Sequence, residues 1–158
     1  SIRGVNLYLS INASVNLNIP IFTGHALADS RLPEWLNSNL ATRVRVLTAY
    51  PLIVETKHPG NKLHQQILKE YAPQLSANRW TLYGHGVAEL MVEVLMRTGR
   101  SLSRQKAVIA AENINQWQGK LLPPVFLDSR NHLALSSFRV SQISPGRVNH
   151  LSEWIDGR

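Results

Sequence analysis

Hydrophobic residues recur with a helical period between residues 80 and 114. One apolar stripe has spacings of three and four residues and consists of Tyr83, Val87, Leu90, Met91, Val94 and Leu95. Glu93 and Arg97 follow the other side of this helix, where they can pair weakly in solvent. Gly99 suits the left-handed position after a helix end, and Ser103 can cap a second helix. The pattern predicts two helices joined by a tight turn.

Two short strands are predicted before these helices. Residues 19–24 form an apolar, β-branched run that enters through Pro20 and ends in glycine, which is typical of a buried strand. Residues 43–50 alternate and predict a second strand, which residues 52–54 can extend. Residues 1–18 alternate weakly and then become rich in asparagine, a pattern that fits a strand and a helix equally.

Helices are predicted on both sides of the second strand. Asp29 or Ser30 can cap a short helix, which Pro33 limits to about one turn. After the strand, the sequence KHPGN predicts a turn. The last residue of this turn, Asn61, can cap a longer helix that runs to Tyr71.

The C-terminal tail has the character of strands. Residues 121–128 predict a short strand entered through two prolines, and residues 128–131 a turn. Residues 132–143 are extended, with a change of apolar phase at residues 136–137 that predicts a bulge or one strand serving two sheets. Residues 144–146 turn the chain again. The alternation of strands and helices predicts an α/β fold.

Length and composition fit one globular domain. The chain has 158 residues, of which 44% are hydrophobic and 17% are charged. No apolar run approaches the roughly 20 residues that a membrane-spanning helix needs. The N-terminal residues SIRGVNLYLSINAS lack a starting methionine and the pattern of a signal peptide. This predicts a chain that begins within a longer protein.

The chain is basic, with a net charge of +7 and an isoelectric point of about 10.3. A positive net charge suggests nucleic acid or an anionic surface as possible partners. The Arg and Lys residues are scattered, however, without a basic block or aromatic-interleaved motif, which favours a solvated basic surface. The absence of cysteine excludes disulfides, thiolate nucleophiles and cysteine-ligated metals, and is compatible with both cytoplasm and periplasm.

No sequence motif points to catalysis. The six histidines include no HExxH pair, and GxSxG, P-loop and GxGxxG motifs are missing from the sequence. Residues 83–86 (YGHG) resemble a phosphate loop superficially, but they fall inside the helical pattern. The sequence therefore predicts a protein that is not an enzyme and that uses no cofactor or metal.

The strand ends give one geometric indication of a binding site. Ligands of α/β proteins gather beyond the carboxyl ends of parallel strands, which here are residues 23–26 and 49–50. Ordinary surface connections explain the two segments equally well.

Together, these segments resemble the C-terminal part of a type I periplasmic binding protein. More specifically, they resemble the Leu/Ile/Val (branched-chain amino acid) substrate-binding family of ABC transporters. The resemblance is carried by the helices LYGHGVAELMVEVLMRTG (82–99) and RSLSRQKAVIAAENI (100–114). Further segments follow in the family's order, namely IPIFTGHALAD (19–29), RVRVLTAYP (43–51), NKLHQQILKEYAP (61–73) and PVFLDSRNHLALSSFRVSQISPG (124–146).

The resemblance implies a fragment of a two-lobed α/β fold with short parallel strands, three main helices and a C-terminal strand pair. Residues 1–52 would belong to the second lobe, residues 53–123 to the helical part of the first lobe, and residues 124–158 would cross back. The core of the first lobe would be absent from this sequence. Part of the apolar stripe is then expected to be exposed or covered by an unusual partner, namely Tyr83, Val87, Leu90, Met91 and Val94.

The implied function is that of a periplasmic, non-enzymatic solute-binding component of an ABC importer. It would enclose an amino acid or similar small polar ligand by hinge closure, be recognised by the membrane permease, and use no cofactor and no nucleic acid. The resemblance implies that six residues bind the ligand, namely His25, Ala26, Asp29, Tyr50, Tyr83 and His85. Where the family often presents an acidic residue to the ligand's ammonium group, this chain has His25 and Ala26.

Two alternatives remain open at the sequence level. One is a cytoplasmic ligand-sensing regulator of the same fold, which an upstream signal peptide or lipoprotein cysteine would exclude. The other is a basic interaction domain without a small ligand, which salt-sensitive binding to nucleic acid would favour.

Overall fold

The computed structural model describes residues 4, 7–8, 10–11, 19–29, 32–36, 41–144 and 147–157. The strands are Ile21–Thr23 (β1), Val44–Thr48 (β2), Ser137–Ser144 (β3), Arg147–His150 (β4) and Ile155–Asp156 (β5). The α-helices are Leu32–Trp35 (α1), Pro59–Tyr71 (α2), Arg79–Thr98 (α3) and Arg104–Glu112 (α4). The described residues among the first eleven are helical. The predicted cap Ser30 and the predicted turn residues Pro145 and Gly146 lie outside the described residues.

The sheet combines one parallel pair with antiparallel neighbours, in the order β1-β2-β3-β4. β1 and β2 are parallel, with Ile21 opposite Val44, and β2 pairs antiparallel with β3, with Val46 opposite Ser141. β3 and β4 form the C-terminal antiparallel pair. The structure thus confirms the predicted α/β fold with short parallel strands, three main helices and a closing strand pair.

β3 changes its partners along its length. Ser137 and Phe138 pair with β5, whereas the following residues pair with β2 and β4. The phase change at residues 136–137 therefore marks one strand that serves two sets of partners, which was one of the two predicted explanations.

Two separate clusters of buried side chains stabilise the fold. The first lies between the sheet and α1 and includes Leu32, Val46, Leu52 and Ile143. The second consists of Tyr50, Val94, Ile114, Leu122 and Val125, with residues of α3 and α4 packed against it. The segment that follows β2 contributes Tyr50 to one cluster and Leu52 to the other, and burial of the apolar side chains is the main stabilisation of both.

The start of α2 differs from the prediction that Asn61 caps it. The helix begins at Pro59, where a missing backbone N–H costs least, and His58 Nδ1 accepts a hydrogen bond from Gly60 N at 3.1 Å. Asn61 is fully buried instead. Its amide donates to the carbonyl oxygens of Leu52 and Glu55, at 2.7 and 3.0 Å. Asn61 therefore anchors the preceding loop rather than the helix end.

Two predicted strand segments are wrong. Residues 52–54 form a turn after Pro51 rather than an extension of β2. Residues 121–128 make only an isolated bridge between Trp117 and Val125, and Leu127 N donates to Ile114 O. These hydrogen bonds fix the segment against the end of α4, which explains why its apolar residues are buried without forming a strand. The prediction of a buried β1 is also wrong at Phe22, which is 60% exposed on this edge strand.

The long helix α3 follows its predicted boundaries closely. Asn78 caps it by accepting from Trp80 N and Thr81 N, and Gly99 ends it with a φ of 74°. Ser103 Oγ accepts from Lys106 N and so caps α4, as predicted.

The apolar stripe of α3 is divided between solvent and core. Tyr83, Val87 and Met91 are 45%, 45% and 55% exposed, which confirms the expected exposure. Leu90 is partly buried, and Val94 is only 8% exposed and belongs to the second core cluster, so these two side chains are covered rather than exposed. α4 and the segment after it therefore cover Leu90 and Val94, whereas the rest of the stripe faces solvent.

Candidate functional site

The candidate site lies where β1 and β2 end. A single 3₁₀ turn, His25–Leu27, follows β1 after Gly24, and Tyr50 follows β2. Because the two strands are parallel and adjacent, these segments emerge at the same edge of the sheet. The N-terminal turns of α3 lie beside them, since the Tyr50 and Tyr83 rings are in contact.

Three rings form a row at this edge, which we call the ring row: His25, Tyr50 and Tyr83. The centroids of His25 and Tyr50 are 3.6 Å apart with planes inclined by 39°, and those of Tyr50 and Tyr83 are 5.9 Å apart with planes inclined by 33°. Tyr50 at the centre of the row is 7% exposed, His25 is partly buried and Tyr83 is 45% exposed, so the row reaches solvent mainly at Tyr83. The Tyr50–Tyr83 separation lies in the range of about 4.5–7 Å that favours aromatic pairs, and His25 packs more closely on Tyr50.

An ion pair borders the ring row. Arg79, the first residue of α3, donates from Nη1 to Asp29 Oδ2. The two side chains are only 15% and 10% exposed. The Arg79 guanidinium carbon also lies 5.8 Å from the Trp35 ring centroid and 5.0 Å from that of Trp80. Asp29 and the two indoles therefore fix the position of this cation.

Burial shifts the pKa values of two rings in the row, those of His25 and Tyr50, toward the uncharged forms. Burial, followed by the nearby Arg79 charge, lowers the pKa of His25 to about 4. Burial and the neighbouring Tyr83 raise the pKa of Tyr50 to about 12, although Arg79 opposes this shift. At neutral pH both groups are uncharged and can exchange hydrogen bonds with a ligand. Full charges enter this part of the site through Asp29 and Arg79, which offset each other.

A cleft of about 440 Å³ opens beside the ion pair. Asp29, Ile53, Asn78, Arg79 and Trp80 are among its lining residues. Its size falls within the range of small-molecule sites, roughly 300–1,000 Å³. The edge of the sheet therefore combines a neutral aromatic surface with a cleft next to a fixed charge pair.

The structure brings together four of the predicted site residues, His25, Asp29, Tyr50 and Tyr83. Ala26 lies in the 3₁₀ turn between them, where its backbone belongs to the same edge. His85 lies apart from this group. Its ring stacks on that of His64, with centroids 5.4 Å apart, and its Nε2 is 3.7 Å from Glu89 Oε1.

Sequence reasoning missed Arg79. A cation at the first position of a helix is unfavourable next to the positive end of the helix dipole, so such a residue needs an acidic partner elsewhere. That signal is readable in the sequence NRW at residues 78–80, which follows a loop and precedes a long helix. The partner, Asp29, lies 50 positions away and is identified only by the structure.

Ser141, His150 and Glu55 are connected like a catalytic triad, but the serine is not accessible to a substrate. Ser141 Oγ lies 3.0 Å from His150 Nδ1, and His150 Nε2 lies 3.0 Å from Glu55 Oε1. Ser141 is completely buried in the sheet and also lies 3.0 Å from Thr48 Oγ1. A substrate carbonyl cannot reach this hydroxyl, so the group acts as a structural link between the sheet and the loop before α2.

The described residues contain no convergent group of three or more His, Cys, Asp or Glu side chains that could hold a metal ion. The helices in the same part of the chain are too short or too polar to cross a membrane.

Comparison with known proteins gives matches among solved structures alone. No family model matches the chain, and no curated protein matches it. A substrate-binding protein of an ABC transporter from Aeropyrum pernix matches with a TM-score of 0.76, at 14% identity over 100% of this chain and 43% of the other. A branched-chain amino acid ABC transporter protein from Thermus thermophilus, solved with bound valine, matches with a TM-score of 0.72. The identity is 15%, over 96% of this chain and 43% of the other.

A possible leucine/isoleucine/valine-binding protein from Rhodopirellula baltica matches with a TM-score of 0.69, at 19% identity over 91% of this chain and 38% of that protein. The chain thus spans about two fifths of the proteins that it matches. It has the fold of part of a type I periplasmic binding protein.

Proposed function

We propose that this chain forms part of the solute-binding component of an ABC importer and binds an amino acid or a similar small polar ligand between two lobes. The observation that carries the proposal is the ring row, because it joins the carboxyl edge of β1 and β2 to the start of α3. The neighbours with the same fold are substrate-binding proteins, which supports the same role here.

The proposed lobes correspond to residues 1–52, joined by residues 124–158, and residues 53–123. The first buried cluster supports this division, since its core residues lie within 1–52 and 124–158, whereas the second cluster joins Tyr50 and Val125 to residues of 53–123. His25, Asp29 and Tyr50 would come from one lobe and Tyr83 from the other, so ligand binding would bring the lobes together. We place His25, Ala26, Asp29, Tyr50 and Tyr83 in the ligand-binding set, with Arg79 as the residue that fixes Asp29. We leave His85 outside this set because its ring packs on His64.

The proposed mechanism is closure about the segments that connect the lobes, without chemical change in the ligand. A ligand that contacts both lobes stabilises the closed form by its additional contacts in that form. The membrane permease would then recognise the closed form in the periplasm.

Calorimetric titration of the protein that carries this chain, with each of the twenty amino acids, tests the proposal. We expect at least one amino acid to bind, and Tyr83→Ala to weaken its binding roughly tenfold through loss of an aromatic contact surface. Tyr71→Ala is the matched control, since Tyr71 is an exposed tyrosine on α2 outside the ring row. If no amino acid binds, or if the two variants behave alike, the proposed function is wrong.

A further inference from the structure

A second cleft lies next to the candidate site and shares none of its residues. It has a volume of about 460 Å³ and is bordered by Pro51, by His58, by residues 118–124, by Ser137 and Arg139 of β3, and by Trp154. Tyr50 belongs to the ring row and Pro51 to this cleft, so one peptide bond separates the two. The volume suits a small organic molecule.

The charged residues that line the described part of this cleft are cationic. Arg139 and Lys120 are among them, and neither Asp nor Glu is. Glu55, behind the cleft, accepts from Arg139 Nη2 at 3.1 Å and offsets that charge. Lys120 makes no ion pair with the residues that the structure describes. Glu89 lies outside this lining, but its Oε2 accepts from Lys120 N at 3.0 Å and offsets part of the Lys120 charge. The cationic lining therefore suits a monoanion rather than a more highly charged anion.

Arg139 is held in place before any ligand arrives. Its side chain is 18% exposed, and its guanidinium carbon lies 4.9 Å from the Trp154 ring centroid. Glu55 Oε1 accepts from Nη2 and so fixes one edge of the guanidinium group. The Arg139 Nε is buried and donates to no residue in the described part of the chain. A fixed guanidinium with unused donor capacity is a good partner for a carboxylate, because little side-chain entropy is lost on binding.

The remaining walls of the cleft are mixed, with polar residues at His58, Gln118 and Ser137 and an apolar part formed by leucines, prolines and Trp154. Leu121, Leu122 and Pro123 are buried behind it, and Pro124 and the indole of Trp154 lie along its sides. Inorganic anions gain nothing from the apolar part, whereas a hydrocarbon or aromatic body removes apolar surface from water there.

We propose that this cleft binds a small monocarboxylate with an aromatic or hydrocarbon body. The carboxylate is placed at Arg139 and Lys120, and the body lies against Trp154 and the prolines. This inference does not rest on the proposed importer function, because it uses none of the ring-row residues.

Titration calorimetry with benzoate as the probe tests this site, with benzamide and inorganic phosphate as matched comparisons. Benzamide keeps the ring without the charge, and phosphate keeps the charge without the ring. We expect benzoate to bind at least about tenfold more tightly than either. Equal binding of benzamide or of phosphate would overturn the proposal, as would a benzoate titration that shows no saturation.

Variants locate the binding in this cleft. Lys120→Gln should weaken benzoate binding about threefold, and raising the salt concentration should reduce the difference. Lys69→Gln, a comparable exposed change on α2, should leave the affinity unchanged. Trp154→Ala should weaken benzoate roughly fivefold, and it should weaken phosphate less because phosphate has no ring to lose its contact with the indole. These residues are exposed, so the test does not depend on a core substitution. If Lys120→Gln and Trp154→Ala bind benzoate like the unaltered protein, the site does not exist.

Discussion

The carboxylate of Glu55 lies 3.0 Å from Nε2 of His150, although the two residues are 95 positions apart in the sequence. Glu55 also accepts from Arg139 Nη2 and from Leu52 N. This carboxylate therefore ties the loop before α2 to β3 and β4. Its side chain is 18% exposed, so solvent screens these contacts only in part.

Glu55→Gln should lower the free energy of unfolding by about 1–3 kcal/mol, because partly buried charge-assisted hydrogen bonds lose their anionic acceptor. Glu93→Gln is the control. Glu93 pairs with Arg97 on an exposed face of α3, and loss of such a pair costs less than about 1 kcal/mol. Urea denaturation measures both changes. Equal destabilisation by the two substitutions would show that the Glu55 contacts have no special role.

His25 should make the stability depend on pH. Its pKa is lowered from 6.5 to about 4 in the folded protein. Between these values the unfolded chain binds a proton that the folded chain does not, so stability is complete above pH 6.5 and falls as the pH decreases toward 4. The loss from this group is roughly 3 kcal/mol at most. Denaturation at pH 7 and pH 4.5 should show a smaller decrease for His25→Gln than for the unaltered protein.

The pKa of His64 is also lowered by burial and by His85, but this histidine is present in both proteins compared and does not affect the difference. An NMR titration of the His25 ring protons provides an independent measurement. A midpoint near 6.5 would contradict the burial of this ring against Tyr50.

Two glycines in helices should respond oppositely to alanine. A Cβ at Gly60 would clash with Lys120 O and with the Leu121 side chain, whereas a Cβ at Gly84 would meet no atom within 4 Å. We expect Gly60→Ala to destabilise by about 1–3 kcal/mol through overpacking. Gly84→Ala should stabilise α3 by about 0.5–1 kcal/mol. Thermal unfolding distinguishes them, and two shifts in the same direction would contradict the packing of α2 against residues 120–121.

Two valines on α3 should differ in how much their replacement by alanine lowers the stability. Val94→Ala should cost about 1–2 kcal/mol because its side chain is in the second core cluster, whereas Val87→Ala should change stability by less than about 0.5 kcal/mol. Chemical denaturation of the two variants gives the comparison directly. A larger effect at Val87 would mean that another surface covers the exposed half of the stripe in solution.

Local patterns predicted the helix boundaries well. Gly99 and Ser103 mark the end of α3 and the start of α4 because capping depends on a few neighbouring residues. The residues around Asn61 in the sequence could not exclude the prediction that it caps α2. This residue forms its hydrogen bonds with Leu52 and Glu55, and the loop that positions those carbonyl groups has no sequence pattern of its own.

The candidate site was predictable only in part. The strand-end rule and the resemblance identified His25, Asp29 and Tyr50, because the carboxyl ends of adjacent parallel strands meet. The Asp29–Arg79 pair depends on how α3 is placed against the sheet, and the sequence does not encode that relation within any short window. The same holds for the second cleft, whose walls come from segments more than eighty positions apart.

The Asp29–Arg79 pair makes Asp29 a tethered competitor for any external carboxylate. A free ligand must displace a carboxylate that the protein itself supplies, at an effective concentration of millimolar or higher. Simple organic acids at lower concentrations are therefore excluded from Arg79. Under the proposed function, selection among solutes would then fall to the uncharged groups of the ring row, which would discriminate by shape and hydrogen bonding rather than by net charge.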